Sequence, residues 1–170
     1  MNELTVAPAP ALAAALAEPA EYLSFRLGDE EYGIGIRQVQ EIRSYEEPTG
    51  IPNAPAALRG MLDLRGVITP IVDLRLAFGQ MDAACTPLTV IIVLNLGARV
   101  IGVVVDSVSD VIDLGADDIR PAPRLRTVGL DTRCITGIGT VAERMLILLD
   151  IERLMETPAL GLGHALRHAA

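Results

Sequence analysis

Residues 21–42 and 90–111 of this chain are copies of one another, and that repeat limits the possible fold more than any other feature. When the segment starting at Tyr22 is laid over the one starting at Ile91, an ungapped shift of 69 residues, Leu27 meets Leu96, Gly28 meets Gly97 and Gly33 meets Gly102. Val39 meets Val108, Ile34 meets Val103, Ile42 meets Val111, and acidic Glu41 falls on Asp110. Further along, Val72-Asp73-Leu74 answers Leu149-Asp150-Ile151 if the second copy carries eight extra residues. A long period used only twice predicts two similar small domains packed together rather than a solenoid. Such a pair leaves a groove between its halves, where ligands and partners tend to bind.

The residues available for a core are aliphatic. Apolar residues make up 51% of the 170, yet there is no Trp, so Val, Ile and Leu must fill the interior. Their β-branched runs favour strands. A net charge of −8 argues against nucleic acid, whose phosphates need clustered Lys and Arg, and against a basic membrane-surface anchor. Apolar runs such as Val90–Leu94 and Val100–Val105 fall far short of the roughly 18 residues of a membrane span. Residues 1–20 carry Glu3 and no Lys or Arg, so they read as a flexible Ala/Pro leader rather than a secretory signal. A core domain is expected over 21–157 and a flexible tail over 158–170. Cys85 and Cys134 lack CxxC spacing and read as two reduced thiols.

Within the core, Tyr22–Leu27 and Tyr32–Ile36 predict strands joined by a turn at Gly28-Asp29-Glu30. Val39, Ile42 and Arg43 lie at helical spacing and predict about one helical turn over Val39–Arg43. After a Pro/Gly-rich loop over Glu46–Ala57, Met61–Leu64 and Val67–Leu74 predict a second hairpin about Arg65-Gly66. Pro70 cannot donate to a ladder, which predicts an edge, a bulge or a strand start there. The second copy predicts strands at Thr89–Leu96, Arg99–Val105, Val108–Leu114, Ile135–Val141 and Met145–Asp150, then a short helix at Ile151–Met155. Many short strands with frequent turns predict an all-β protein, with small barrels favoured over a sandwich.

Catalytic chemistry is hard to find. His164 and His168 share a helical spacing but have no neighbouring ligands to complete a zinc shell. Asp106, Asp110, Asp113, Asp117 and Asp118 do not match a calcium-loop spacing and read as a solvated acidic face. Gly33-x-Gly35 lies within a strand and lacks the helix N-terminus that phosphate binding needs. Asp63 and Asp73 flank a strand hairpin and would serve an acid hydrolase only if they shared a pocket that separated their pKa values. The chain therefore reads as a binding protein with no catalysis, cofactor or metal. Arg65, at a hairpin tip, and Glu41, beside an apolar patch, are the charged residues least explained by a structural role.

Several motifs occur in order: Glu30-Glu31-Tyr32-Gly33-Ile34, Val39-Gln40-Glu41-Ile42-Arg43, Leu64-Arg65-Gly66-Val67-Ile68, Pro70-Ile71-Val72-Asp73-Leu74-Arg75, Val108-Ser109-Asp110-Val111 and Arg144-Met145-Leu146-Ile147-Leu148. With these motifs the chain strongly resembles the CheW family of bacterial chemotaxis coupling proteins over nearly all of 21–157. The resemblance implies two intertwined five-stranded SH3-like β-barrels with short helices. It implies a non-enzymatic, cytoplasmic adaptor recruited to membrane-associated receptor arrays, without membrane insertion. The implied partners are the CheW-like regulatory domain of the histidine kinase CheA and the cytoplasmic tips of chemoreceptors, docked in the groove between barrels. Val39, Glu41, Gly60, Arg65, Val90 and Val111 are the implied interaction residues, Arg65 being the arginine of the family's N-L-R-G motif. That motif reads Asp63-Leu64-Arg65-Gly66 here, and an ionised Asp only accepts hydrogen bonds. Loss of an Asn donor, or local pairing of Asp63 with Arg65, would make coupling more sensitive to salt and pH. A CheW-like adaptor serving another receptor–kinase pathway is the neighbouring alternative.

Overall fold

The computed structural model describes residues 20–80, 84–97, 99–122, 134–156, 160 and 162. Its strands are β1 (Ala20–Leu27), β2 (Glu30–Gly35), β3 (Val39–Ser44), β4 (Leu58–Leu64), β5 (Val67–Asp73), β6 (Val90–Asn95), β7 (Val100–Val105), β8 (Ser107–Leu114), β9 (Ile119–Arg120), β10 (Ile135–Val141) and β11 (Arg144–Leu149). Two short helices, α1 (Leu74–Ala77) and α2 (Ile151–Met155), follow β5 and β11. The fold is mostly β with two subdomains, each formed around one sheet. The larger sheet runs β8-β1-β2-β11-β10-β9 and the smaller β3-β6-β7-β5-β4.

The sheet order shows what the repeat does. The hairpin that opens the first copy, β1–β2, lies between β8 and β11 of the second copy. The hairpin that opens the second copy, β6–β7, lies between β3 and β5 of the first. Each copy thus lends its first hairpin to the other, and both sheets have the same internal order with one parallel pairing, β2 with β11 or β7 with β5. The likeness extends to single bonds. Asp73 N–H donates to the Ala57 carbonyl at 2.7 Å, and Asp150 N–H donates to the Cys134 carbonyl at 2.7 Å. Asp73 and Asp150 then cap α1 and α2, accepting from the backbone N–H of Arg75 and Arg153.

Alternate residues along the exchanged strands β6 and β7 serve different cores, which is why those two strands are apolar nearly throughout. By contrast, β1 and β2 set Ser24, Arg26, Glu30 and Glu31 among their apolar residues. Ile91 and Val93 join Leu62, Leu64, Ile71 and Val104 in a cluster inside the smaller subdomain. Ile92 and Leu94 face the opposite way, into a core shared with Leu23, Phe25, Ile34, Val72, Val103, Leu149 and Ile151. The larger subdomain has its own cluster of Ile112, Leu114, Leu146 and Leu148. Three of the five aromatics sit in the shared core, where Tyr32 stacks on Phe25 and tilts against Phe78. Tyr45 and Tyr22 pack against the clusters of the smaller and larger subdomains. Leu160 and Leu162, within the expected tail, are also buried there. The leader, residues 1–19, and the histidines at 164 and 168 lie outside the described residues.

Two sequence expectations are corrected. Val39–Arg43 is not helical: a 3-10 turn covers Ile36–Gln38, and Val39–Ser44 is a strand paired with β6. Five residues carry too little periodicity to separate the two periods, and pairing along β6 decides the matter. Nor is β5 an edge strand, since it lies between β7 and β4. Its pairing with β7 begins only at Ile71, so Pro70 sits where one side of the strand still needs no donor.

Gly60 and Gly137 mark matching irregularities, in β4 and β10. Gly60 has φ +146°, and a Cβ there would run into the backbone carbonyl of Thr49, whose segment bridges to Met61. A Cβ on Gly137 would approach the Arg120 carbonyl at 2.9 Å, without a positive φ. Gly60→Ala is therefore expected to cost about 2–4 kcal/mol, from strain and steric conflict combined, and Gly137→Ala less. Urea unfolding of the two variants measures the difference.

Candidate protein-interaction site

Arg65 stands at the tip of the β4–β5 hairpin because the turn is a tight two-residue one. Arg65 (φ 56°) and Gly66 (φ 87°) both adopt left-handed backbone angles, as a type I′ turn requires. Asp63 closes the turn, its Oδ1 accepting from Gly66 N–H at 2.8 Å. An ionised aspartate supplies all that this bond asks, so the Asp in place of the family's Asn loses nothing here. Asp63→Asn is expected to change stability by less than about 0.5 kcal/mol, measurable by urea titration. The expected local pair of Asp63 with Arg65 is not what forms. Arg65 Nη1 instead lies 3.6 Å from Glu41 Oε2, reaching from the hairpin tip to β3.

Glu41 faces inward from β3 and also accepts from Arg43 at 3.2 Å. Its side chain is 23% exposed, whereas that of Arg65 is 80% exposed. A pair with one such open partner is worth only about 0–1 kcal/mol, too little to explain a strained arginine by stability alone. Ile42 on β3 and Val67 and Ile68 on β5 are also exposed. The sequence marks Ile42 as part of the apolar patch beside Glu41 but carries no signal for the exposure of Val67 and Ile68.

Val39 opens β3 opposite Leu94 and packs, half-buried, against the shared core. Val90 opens β6, opposite Ser44 at the other end of β3, and is also half-buried against that core. Gly60 lies buried in β4, away from the Arg65 tip. Val111 is on β8, in the other sheet, and is 49% exposed. The structure thus brings Glu41 and Arg65 into contact and leaves Val111 on the second subdomain.

Val111 has its own setting, which repeats the first. By the repeat it is the counterpart of Ile42, and exposed Met145 is the counterpart of Ile68 under the longer offset of 77 residues. Asp110, counterpart of Glu41, accepts from Arg144 of β11 at 3.0 Å. Arg144 also binds Glu31 and Ser24, which ties β1, β2, β8 and β11 together. Sequence reasoning missed Arg144 as a site residue, because the repeat matches it with Val67 and not with Arg65. The acidic residues expected to form a solvated face are therefore used: Asp110 in this cluster, Asp118 in accepting from Gly115 N–H, and Asp106 in an ion pair with Arg75.

Asp63 and Asp73 do not share a pocket. Asp63 sits at the turn of the β4–β5 hairpin, and Asp73 is buried at its other end between Arg59 and Arg75. Among the described residues no group of three or more His, Cys, Asp or Glu is placed to hold a metal ion, and no helix is long and apolar enough to cross a membrane. Cys85 is exposed and Cys134 is buried.

Two sheets of like order that exchange their opening hairpins, each carrying an ion pair at its surface, define a duplicated β module. The CheW-like domain model matches residues 21–159, and this chain belongs to that family. It is 53% identical over 142 residues to the chemotaxis protein CheW of Klebsiella aerogenes, covering 84% of this chain and 85% of that one. It is 30% identical over 156 residues to the protein FrzA of Myxococcus xanthus, covering 89% of this chain and 95% of the relative. The crystal structure of the scaffolding protein TtCheW from Thermoanaerobacter tengcongensis superposes with a TM-score of 0.76 at 30% identity, covering 84% of this chain and 96% of that one.

The hydrogen bond from Arg144 holds the Glu31 carboxyl below its ordinary value of 4.5. A carboxyl whose pKa is lowered by folding adds stability that is present above its unfolded pKa and is lost as pH falls through the folded one. Between about pH 5 and pH 3 the wild type should therefore lose more stability than Glu31→Gln. Urea midpoints of both proteins across that range give the answer.

Proposed function

We propose that this chain is a non-enzymatic scaffold that couples chemoreceptors to the histidine kinase CheA in chemotaxis. Membership of the CheW family, at 53% identity over most of both chains to a chemotaxis protein CheW, is the observation that carries this reading. In its finer form the two sheets are intertwined SH3-like barrels, and the protein works in the cytoplasm at receptor arrays. The CheW-like domain of the kinase binds the surface around Arg65, Glu41 and Ile42, and the helical tip of the receptor lies in the groove between subdomains, near Val39, Val90 and Val111. An open arginine beside exposed aliphatic side chains is the kind of anchor that interfaces use. Two modest contacts on one scaffold raise each other's effective concentration, so the assembly is tighter than either pair. The second reading is the same adaptor role in another receptor–kinase pathway.

The test is to titrate the protein with the regulatory domain of the organism's chemotaxis kinase. The expected result is saturable binding that Arg65→Ala weakens by about 1–2 kcal/mol, roughly tenfold. Its melting temperature should stay within about 2 °C of wild type, as for exposed substitutions generally. A kinase from another pathway that copurifies in place of CheA would establish the second reading.

A further inference from the structure

The chain passes between its two sheets at Asp106, the single residue separating β7 from β8. Its carboxylate holds something on each side. Oδ1 accepts from Arg75 Nη1 at 3.1 Å, and Oδ2 accepts from Gly28 N–H, at the tip of the β1–β2 hairpin, at 2.6 Å. Its own N–H donates to the Arg26 carbonyl at 3.1 Å. Arg75 belongs to α1, after the smaller sheet, whereas the β1–β2 hairpin belongs to the larger one. One carboxylate therefore ties the two subdomains together at their crossover.

The arginine at the other end of this tie is held firmly. Its side chain is 0% exposed, the largest fully buried side chain among the described residues. Nε and Nη2 donate to both oxygens of buried Asp73, at 3.0 and 2.9 Å, and Nη1 also donates to the Ala84 carbonyl at 2.7 Å. A buried guanidinium so fixed has one orientation, because breaking any of these bonds strands a charge away from water. The Gln80 side chain closes the same place, leaving no room for a Cβ on Gly28.

The second crossover of the fold, through Ile36–Gln38 between β2 and β3, is built differently. The repeat puts exposed Arg37 where Asp106 stands, and exposed Glu152 where Arg75 stands. The duplicated caps, carbonyl bonds and glycines are present in both copies, whereas this charged tie is present in one. The larger copy of the α-cap, at Asp150, forms without it.

We propose that Asp106 and Arg75 set the angle between the two subdomains, and so are positioning residues for a partner that touches both. The inference rests on the scaffold reading above, in which the receptor tip spans the groove and the kinase domain meets one subdomain. Loosening the tie weakens the first partner and spares the second.

The test uses the full chain with spin labels at Ile68→Cys and Met145→Cys, one exposed site per sheet, in a Cys85→Ser background. Pulsed electron paramagnetic resonance then reads the distance between subdomains. An amide at position 106 has one acceptor oxygen where the carboxylate has two, so Asp106→Asn cannot serve both donors. Its distance distribution should broaden relative to the parent. Asp106→Glu, which keeps charge and both acceptors on a longer arm, should give a narrow distribution with a displaced mean. In unlabelled protein, Asp106→Asn should weaken binding to intact receptor in nanodiscs at least fivefold and change binding to the kinase regulatory domain less than twofold. An unchanged distribution in Asp106→Asn, or equal loss of both partners, overturns the proposal. Should Asp106→Asn fail to fold, an undisplaced mean in Asp106→Glu overturns it and a displaced one supports it. A parent protein that binds neither partner defeats the scaffold reading instead, while the distances still decide the role of Asp106.

Discussion

The exchange of opening hairpins between the two copies is the constraint on which the rest of this structure depends. Because β1–β2 completes the sheet of the second copy and β6–β7 that of the first, neither half of the chain has a sheet of its own. The exchanged hairpin β6–β7 is then apolar on two faces, one for the subdomain it enters and one for the core between subdomains, whereas β1–β2 turns Ser24 and Glu31 toward Arg144 on its second face. Ile91 and Ile92, adjacent in sequence, belong to different clusters for this reason. Removing such a residue opens a void in a core that both subdomains share, so damage at one end reaches the other.

This arrangement leaves the surface free to carry the binding chemistry. Strand pairing and two-sided burial hold the fold, so a hairpin tip can take a charged, exposed residue such as Arg65 without weakening the interior. The ion pairs that cross the two like surfaces differ in kind. Arg65 meets Glu41 alone and stays open to water, whereas Arg144 is shared among Glu31, Asp110 and Ser24. Arg144 is fitted to fasten four strands, and Arg65 is left open at the surface.

Much of this was legible in the sequence because the repeat is strong. It gave the paired architecture, the matching of Asp73 with Asp150, and the short helix at Ile151–Met155 with the bounds the structure shows. Glu41 and Arg65 stood out as charges without a structural explanation, and they are in contact. What could not be read depends on register and on partners distant in the chain. Val39–Arg43 has the spacing of a helical turn, and only its ladder with β6 makes it a strand. Pro70 argued for an edge because the sequence does not tell where along β5 the second neighbour begins. Asp106 resembled its acidic neighbours, and the guanidinium that sets it apart comes from 31 residues earlier.

The left-handed backbone at Arg65 has a further consequence. Glycine occupies such angles freely, whereas a residue with a side chain is held there at a cost of about 1 kcal/mol. The backbone of this turn and the surface of this protein therefore favour different residues at one position. Arg65→Gly would relax the turn while erasing the open charge. A search guided by stability alone would select that change, improving the fold by removing an open charge from the surface. On the proposed reading, in which Arg65 anchors a partner, thermal tolerance and recognition pull in opposite directions at this hairpin tip.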